Sequence, residues 1–157
     1  MRSAGVVEAI HIGPEAEKPM LSLDAVQAEA GRGLVGDRYF DGSGTYSGSK
    51  SDGREVTLIA AEALEAMERE SGIRLEARES RRNILTRGVD LDELIGRRFR
   101  IGPVICFGIE RCDPCAHLQS LTRPGVLRGL TNRGGLRADI VEGGRIGVGD
   151  PIELDRH

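Results

Sequence analysis

The stretch RFRIGPVICFGI, residues 98–109, decides the fold. An alternating segment of arginine and apolar residues, 98–101, and an apolar run, 104–109, are separated only by Gly102 and Pro103. Glycine and proline interrupt a strand and favour a tight turn, so the stretch predicts a β-hairpin. Because a hairpin places two strands side by side at once, it supplies the start of an antiparallel sheet.

Short apolar runs closed by glycine continue on both sides of this hairpin. They predict strands over residues 5–12, 20–29, 55–60, 82–87, 136–141, 145–148 and 152–154. A helix is predicted over residues 61–71, because Leu64 and Met67 share one face and Gly72 is a natural C-cap. Shorter helical segments are predicted over residues 90–95, 117–121 and 126–130. Many short strands and few helices predict a mainly β fold, either a β-barrel or a strongly bent sheet with peripheral helices.

Composition and charge exclude several classes of protein. A length of 157 residues suits one domain, residues 1–157, with a proper core. The net charge of −3 argues against nonspecific nucleic-acid binding, and no apolar run approaches the roughly 20 residues of a membrane span. The 22 glycines follow no period, which excludes collagen. Three cysteines do not suggest a disulfide framework and no export signal precedes them, so we expect a cytoplasmic location.

The hairpin leads directly into the chemically richest segment, Glu110-Arg-Cys-Asp-Pro-Cys-Ala-His-Leu118. Asp113 and Pro114 favour the start of a helix, as N-cap and first helical residue. Cys115 then falls in the first turn, where the helix N-terminus lowers the pKa of a thiol, although the charge of Asp113 opposes this. Cys115 is therefore the predicted nucleophile or soft-metal ligand, and Cys112 is the weaker candidate.

Three other interpretations of the cysteines stay open at this point. Cys112, Cys115 and His117 supply three possible zinc ligands, but a structural site wants four, and Cys106 would have to provide the last one. A thioredoxin-like redox pair needs a βαβ context that the pattern does not supply. In the third interpretation, Cys112 and Cys115 are both packed residues without chemistry. His11 is expected to be an ordinary strand residue.

Two clusters of arginine and amide residues suggest anion binding. Arg82 and Asn83 form a polar cluster at the start of a predicted strand, and arginine offers planar, bidentate donors for phosphate. Arg133 stands beside Gly134 and Gly135, which can expose backbone N–H groups to an anion. The plain alternatives are a solvated charge pair with a turn residue in the first cluster and an ordinary hairpin turn in the second. Together with an activated thiol, these clusters suit an anionic, phosphate-bearing cofactor coordinated by sulfur.

The order and spacing of these motifs resemble the MOSC domain, named for the C-terminal domain of molybdenum cofactor sulfurases. The resemblance covers nearly the whole chain. It rests on Pro19-Met20, Gly33-Leu-Val-Gly-Asp-Arg-Tyr39, Arg54-Glu-Val-Thr-Leu-Ile59, Arg81-Arg-Asn-Ile84, Gly96-x-x-Phe-x-Ile-Gly102, Pro114-Cys115, Arg133-Gly-Gly-Leu136 and Gly147-Val-Gly-Asp150. The fold that this resemblance implies is a β-barrel-like core with surrounding helices.

The resemblance also implies a molybdopterin-type molybdenum cofactor with its phosphate in a basic pocket. Cys115 matches the family cysteine that coordinates molybdenum or carries sulfur. The positions that resemble cofactor contacts are Arg82, Asn83, Arg133 and Gly134, with Asp37, Arg38 and Arg54 expected to line the same pocket. The chain resembles the small standalone bacterial members, without the aminotransferase-like domain of the sulfurases, so no pyridoxal phosphate is expected.

Two classes of function follow from the resemblance. The first is an oxidoreductase that reduces small N-oxygenated compounds, such as N-hydroxylated bases, with electrons from a separate donor protein. The second is a sulfur carrier that receives a persulfide on Cys115 from a sulfur donor, or a non-catalytic protein that binds and delivers the cofactor. A small-molecule substrate is expected in the first case, and neither nucleic acid nor a membrane is an expected partner.

Overall fold

A computed structural model describes residues 5–14, 18–37, 55–112, 121–122 and 124–155. Strands dominate the part of the chain that it describes. They are β1 (Gly5–Ile12), β2 (Leu21–Leu23), β3 (Ala25–Glu29), β4 (Gly33–Leu34), β5 (Val56–Ala60), β6 (Ile84–Arg87), β7 (Arg98–Ile101), β8 (Val104–Arg111), β9 (Leu136–Glu142), β10 (Gly144–Gly147) and β11 (Pro151–Leu154). Helices α1 (Ala61–Ser71) and α2 (Val126–Gly129) and two 3-10 turns, Ala77–Ser80 and Leu91–Leu94, lie between them.

Seven of the strands close into a barrel. Their order is β11-β7-β8-β9-β5-β6-β1, and β1 pairs with β11 to complete the ring. Strands β5 and β6 are parallel and all other barrel pairs are antiparallel. A parallel pair needs a crossover, and α1 provides it on the outside of the barrel. The predicted mainly β barrel with peripheral helices is confirmed.

The hairpin that decides the fold is present as predicted. Strands β7 and β8 pair from Arg98↔Phe107 to Ile101↔Val104 around Gly102 and Pro103. The single strand predicted over residues 20–29 is wrong, because a bend at Asp24 divides it into β2 and β3. The two halves pair with different sheets: β2 adds to the outer edge of β1, and β3 lies between β4 and β10. The predicted helix over residues 117–121 lies almost wholly outside the described residues.

The hydrophobic core has an inner and an outer part. The inner part fills the barrel with aliphatic side chains around the fully buried Phe99. The outer part lies between the β5–β6 surface and the helices, where Met67 of α1 packs with Val126 and Leu130. Full burial of a side chain such as Met67 contributes about 1.5–3 kcal/mol. Helix α1 spans the predicted residues and ends at Gly72, whose φ of 73° gives the left-handed C-cap.

Among the described helices, none has the length and apolar character needed to cross a membrane.

Candidate functional site

Two of the predicted site residues, Arg82 and Gly134, meet where strand β8 ends and strand β9 begins. Cys112 directly follows β8 and is only 5% exposed. Its N–H donates a hydrogen bond of 2.7 Å to the carbonyl of Gly135, the residue before β9. The backbone of the cysteine segment is therefore tied to the Gly134–Gly135 turn.

Arg82 joins this junction from a third part of the chain. Its Nε–H donates to the Gly134 carbonyl at 2.8 Å, and its Nη2 to the Cys112 carbonyl at 3.4 Å. Its Nη1 reaches the Ser80 carbonyl at 3.4 Å. The structure thus brings Arg82, Gly134 and Cys112 together, although 30 to 52 positions in the sequence separate Arg82 from the other two.

Gly135 is required by the geometry of this junction. Its φ of +120° is strained for residues with a Cβ. A Cβ atom there would also collide with the carbonyl oxygen of Leu58 on the neighbouring strand. The close approach of two backbones therefore requires a glycine at position 135, one of the two glycines in the predicted anion-binding turn.

Asn83 is buried and connects three barrel strands. Its Oδ1 accepts hydrogen bonds from the N–H and hydroxyl of Thr57, at 3.0 and 3.1 Å. Its Nδ2 donates to the His11 carbonyl at 3.1 Å. The described contacts of this amide therefore hold β1 and β5 at the start of β6. Its predicted contact with a cofactor stays a prediction.

His11 is a strand residue, as expected, but it carries an unusual feature. It is 5% exposed, and its Nδ1 has no hydrogen-bond partner among the described residues. Burial, with a smaller contribution from the positive charge of Arg78, lowers the pKa of the imidazole below its ordinary value. Burial therefore favours the neutral form of this side chain.

Arg133 lies where the two helices approach the junction. Its Nε–H donates to the Gly129 carbonyl at 2.8 Å, and its Nη2 pairs with Glu70 of α1 at 3.0 Å. This hydrogen bond, together with the attraction between the charges, lowers the pKa of Glu70. The guanidinium therefore links α1 to α2 beside the predicted turn.

A cleft of about 350 Å³ opens next to Arg133 and Gly135. Its other walls are the first turn of α1 and residues 88–92. Within the described part of the chain, no side-chain hydrogen bond caps the start of α1, and the Glu62 carboxylate accepts a hydrogen bond of 2.8 Å from the Gly88 N–H. The cleft therefore combines apolar walls with both charge signs, in the size range of small-molecule sites.

The rim of the cleft includes an ion pair that sequence reasoning missed. Arg111 pairs with Asp92 at 3.1 Å and donates to Oδ1 of Asn132 at 3.3 Å. Nothing in the local sequence links these residues, which lie 19 and 21 positions from Arg111. The position of Arg111 inside the cysteine segment was the only available signal.

The remaining predicted residues do not all fall in the described part of the chain. Asp37 is buried and its Oδ1 accepts a hydrogen bond of 2.7 Å from the Gly13 N–H, which anchors the loop after β4 to the end of β1. Arg38, Arg54 and Cys115 lie outside the described residues, and their predicted roles stay predictions.

The cysteines can be ranked by their surroundings. Cys106 is fully buried in the barrel core, and burial, with Glu55 and Asp139 nearby, raises the pKa of its thiol to about 12. It is therefore a core residue. Six positions along a strand, at about 3.3 Å each, separate it from Cys112 by about 20 Å. Cys106 and Cys112 cannot ligate one zinc ion, so the four-ligand alternative fails, and the described residues contain no cluster able to hold a metal.

Comparison with known proteins places this geometry in a family. The MOSC domain model matches residues 45–153. The fold resembles that of the YuaD protein from Bacillus subtilis, with a TM-score of 0.80 and 19% identity over 98% of this chain and 97% of that one. Comparison with the curated proteins gives no match.

Two further solved structures have similar folds. YiiM from Geobacillus stearothermophilus has a TM-score of 0.70 and 15% identity, covering 97% of this chain and 75% of its own. YiiM from Escherichia coli has a TM-score of 0.66 and 20% identity, covering 100% of this chain and 71% of its own. At these identities the similarity establishes the fold alone. Because the matched residues make up more than half of the chain, the protein belongs to the MOSC domain family.

Proposed function

We propose that the protein binds a molybdenum cofactor and reduces small N-oxygenated compounds, with Cys115 as the molybdenum ligand. The observation that carries this proposal is the convergence of the family motifs on one junction. Arg82 donates hydrogen bonds to the carbonyls of Gly134 and of Cys112 in the cysteine segment, and Arg133 lies on the cleft beside them. Cys115 follows Cys112 by three positions in the sequence.

The residues present are compatible with a phosphate-bearing cofactor. The cleft of about 350 Å³ has a guanidinium on its wall and the open first turn of α1 on another. Both are suited to a negatively charged group. Three carboxylates on the cleft walls, Glu62, Asp90 and Asp92, oppose such a group, although each already accepts a hydrogen bond from the protein. Arg133, Gly134 and the α1 turn would hold the anionic part of the cofactor.

When bound, the cofactor would supply two-electron chemistry at a thiolate-ligated metal, and a soft sulfur donor suits such a metal. The balanced reaction converts an N–OH group, two electrons and two protons into an N–H group and water. The chain itself would orient the substrate and exclude bulk water. Ala60, Ala63 and Leu91 form an apolar part of the cleft wall, and this part would face an uncharged substrate.

The proposal includes the partners and location. Electrons would come from a separate donor protein. The net charge of −3 gives no general attraction for nucleic acid, so a small molecule is the expected substrate. A cytoplasmic location accords with three cysteines that form no evident disulfide framework.

The deciding experiment is expression in cells that can and cannot make the cofactor, followed by elemental analysis for molybdenum. We expect the metal only in the protein from competent cells, and Cys115→Ser should lose it. Cys106→Ser is the matched control, because that thiol lies in the core and should not affect metal content. If the protein purified from the competent cells contains no molybdenum, the reductase proposal is wrong. A sulfur adduct on Cys115 after incubation with a cysteine desulfurase would then favour the sulfur carrier.

A further inference from the structure

Both binding edges of the Arg133 guanidinium are occupied within the described part of the chain. A guanidinium can hold an anion through two parallel hydrogen bonds either at its Nη1–Nη2 end or at the side formed by Nε and one Nη. The end carries the Glu70 carboxylate, with Nη2 at 3.0 Å from Oε1 and Nη1 at 3.4 Å from Oε2. At the side, the Nε–H donates to the Gly129 carbonyl at 2.8 Å. A phosphate can therefore gain two parallel hydrogen bonds from Arg133 only by displacing one of these partners.

The two partners differ in how easily they can leave. Gly129 belongs to α2, and a Cβ atom at this position would collide with Sδ of Met67, so α1 and α2 are in close contact there. Packing therefore fixes the Gly129 carbonyl. Glu70 lies in the last turn of α1 and its side chain is 62% exposed. Because exposed ion pairs are weak, Glu70 is the partner that an anion would displace.

The ion pair also directs the guanidinium away from the cleft. Arg133 and Glu62 both line the cleft, whereas Glu70 is not among the described residues that form its walls. Eight positions of α1 separate Glu62 from Glu70, which is about 12 Å at 1.5 Å per residue. Glu70 therefore draws the positive charge of Arg133 towards the opposite end of the helix.

We propose that the Glu70 carboxylate is a built-in competitor for the anionic group that binds Arg133, and that it leaves the guanidinium when that group enters the cleft. The inference rests on the proposed function, in which Arg133 holds the anionic part of the cofactor. The Gly129 carbonyl keeps Nε in place during the exchange, so Glu70 is not needed to orient the arginine. One anion replaces another on the same cation, and Arg133 keeps a counterion throughout.

The test titrates the ¹⁵N-labelled chain with inorganic phosphate at constant ionic strength and follows the Arg133 Nε–H signal by NMR. The chain is made in cells that cannot make the cofactor, and Arg133→Gln identifies the signal by its loss. In Glu70→Gln, half-saturation should need about two- to five-fold less phosphate than in the wild type, because a neutral amide competes less for the guanidinium.

Glu68→Gln is the matched control. It removes the same charge from α1, but side chains two positions apart on a helix do not face each other, and Arg133 pairs with Glu70. Its half-saturation should therefore stay close to that of the wild type. Circular dichroism checks that each variant is folded, and Glu70→Ala gives the same readout if Glu70→Gln does not fold.

Three results would overturn the inference. Weaker phosphate binding in Glu70→Gln would show that Glu70 orients Arg133 and does not compete with the anion. Equal gains in Glu70→Gln and Glu68→Gln would reduce the effect to net charge, and no response in either the wild type or Glu70→Gln would show that Arg133 takes no phosphate. Molybdenum content is measured separately. Molybdenum in the protein together with any of these results removes this inference alone, whereas the expected phosphate response without molybdenum removes only the reductase proposal.

Discussion

Asn83 gives the sharpest prediction, because its predicted contact with a cofactor and its observed contacts lead to different outcomes. The substitution Asn83→Ala removes two hydrogen bonds from Thr57 and one to the His11 carbonyl. At about 1 kcal/mol for each neutral hydrogen bond, and more for buried groups left unsatisfied, the loss should be about 2–4 kcal/mol. A change of that size is a large part of the stability of a typical domain.

Urea unfolding followed by circular dichroism measures this loss directly. Gln27→Ala is the control, because Gln27 is an exposed amide in β3 and its replacement should cost under about 0.5 kcal/mol. Molybdenum content, measured on the same samples below their unfolding midpoints, separates the two roles. A loss of less than about 1 kcal/mol would refute the reasoning, because it would mean that the barrel does not depend on this amide.

Three further predictions follow from single residues. In urea unfolding, Gly135→Ala should lower the free energy of unfolding by more than Gly72→Ala. Both glycines have positive φ, but Gly72 faces open space and Gly135 faces the Leu58 carbonyl. Equal losses of stability in the two variants would contradict the predicted collision. His11 has a lowered pKa in the folded state, so the unfolded chain binds a proton more readily. The free energy of unfolding should therefore fall as the pH drops below about 6.5, the ordinary pKa of histidine. His11→Gln should reduce this dependence on pH, and an unchanged dependence would show that another group titrates. Cys106 should resist alkylation up to high pH, since burial raises its pKa to about 12, and rapid labelling of the native chain would place the thiol outside the core. Cys106→Ser should lower the free energy of unfolding in urea by about 1–3 kcal/mol, because it buries a hydroxyl without an assured hydrogen-bond partner.

Local patterns predicted most of the architecture. Strand β1 and helix α1 begin and end at the predicted residues, because a strand broken by Gly13-Pro14 and a helix closed by Gly72 carry their own stop signals. The division of residues 20–29 at Asp24 could not be predicted, since it depends on which distant strand each half joins.

The candidate site was predictable in composition but not in contacts. The motifs identified Arg82 and Gly134 as members of one site, and in the structure Nε of Arg82 lies 2.8 Å from the carbonyl oxygen of Gly134. The sequence could not show that the Asn83 amide and the Arg82 guanidinium donate to backbone carbonyls. Such contacts form only after the barrel has brought residues 30 to 72 positions apart together.

Closure of the barrel between its first and last strands constrains how the chain can fold. Gly5 pairs with Ile152, so the ring cannot close during synthesis until nearly all of the described chain has left the ribosome. Until then β1 and β7 each present an unpaired edge, which is open to pairing with another chain. The same pairing places the first and the last strand of the barrel, β1 and β11, side by side. A short linker joining them, with new ends cut in an exposed turn such as that at Gly31, should therefore give a circular permutant that retains the barrel.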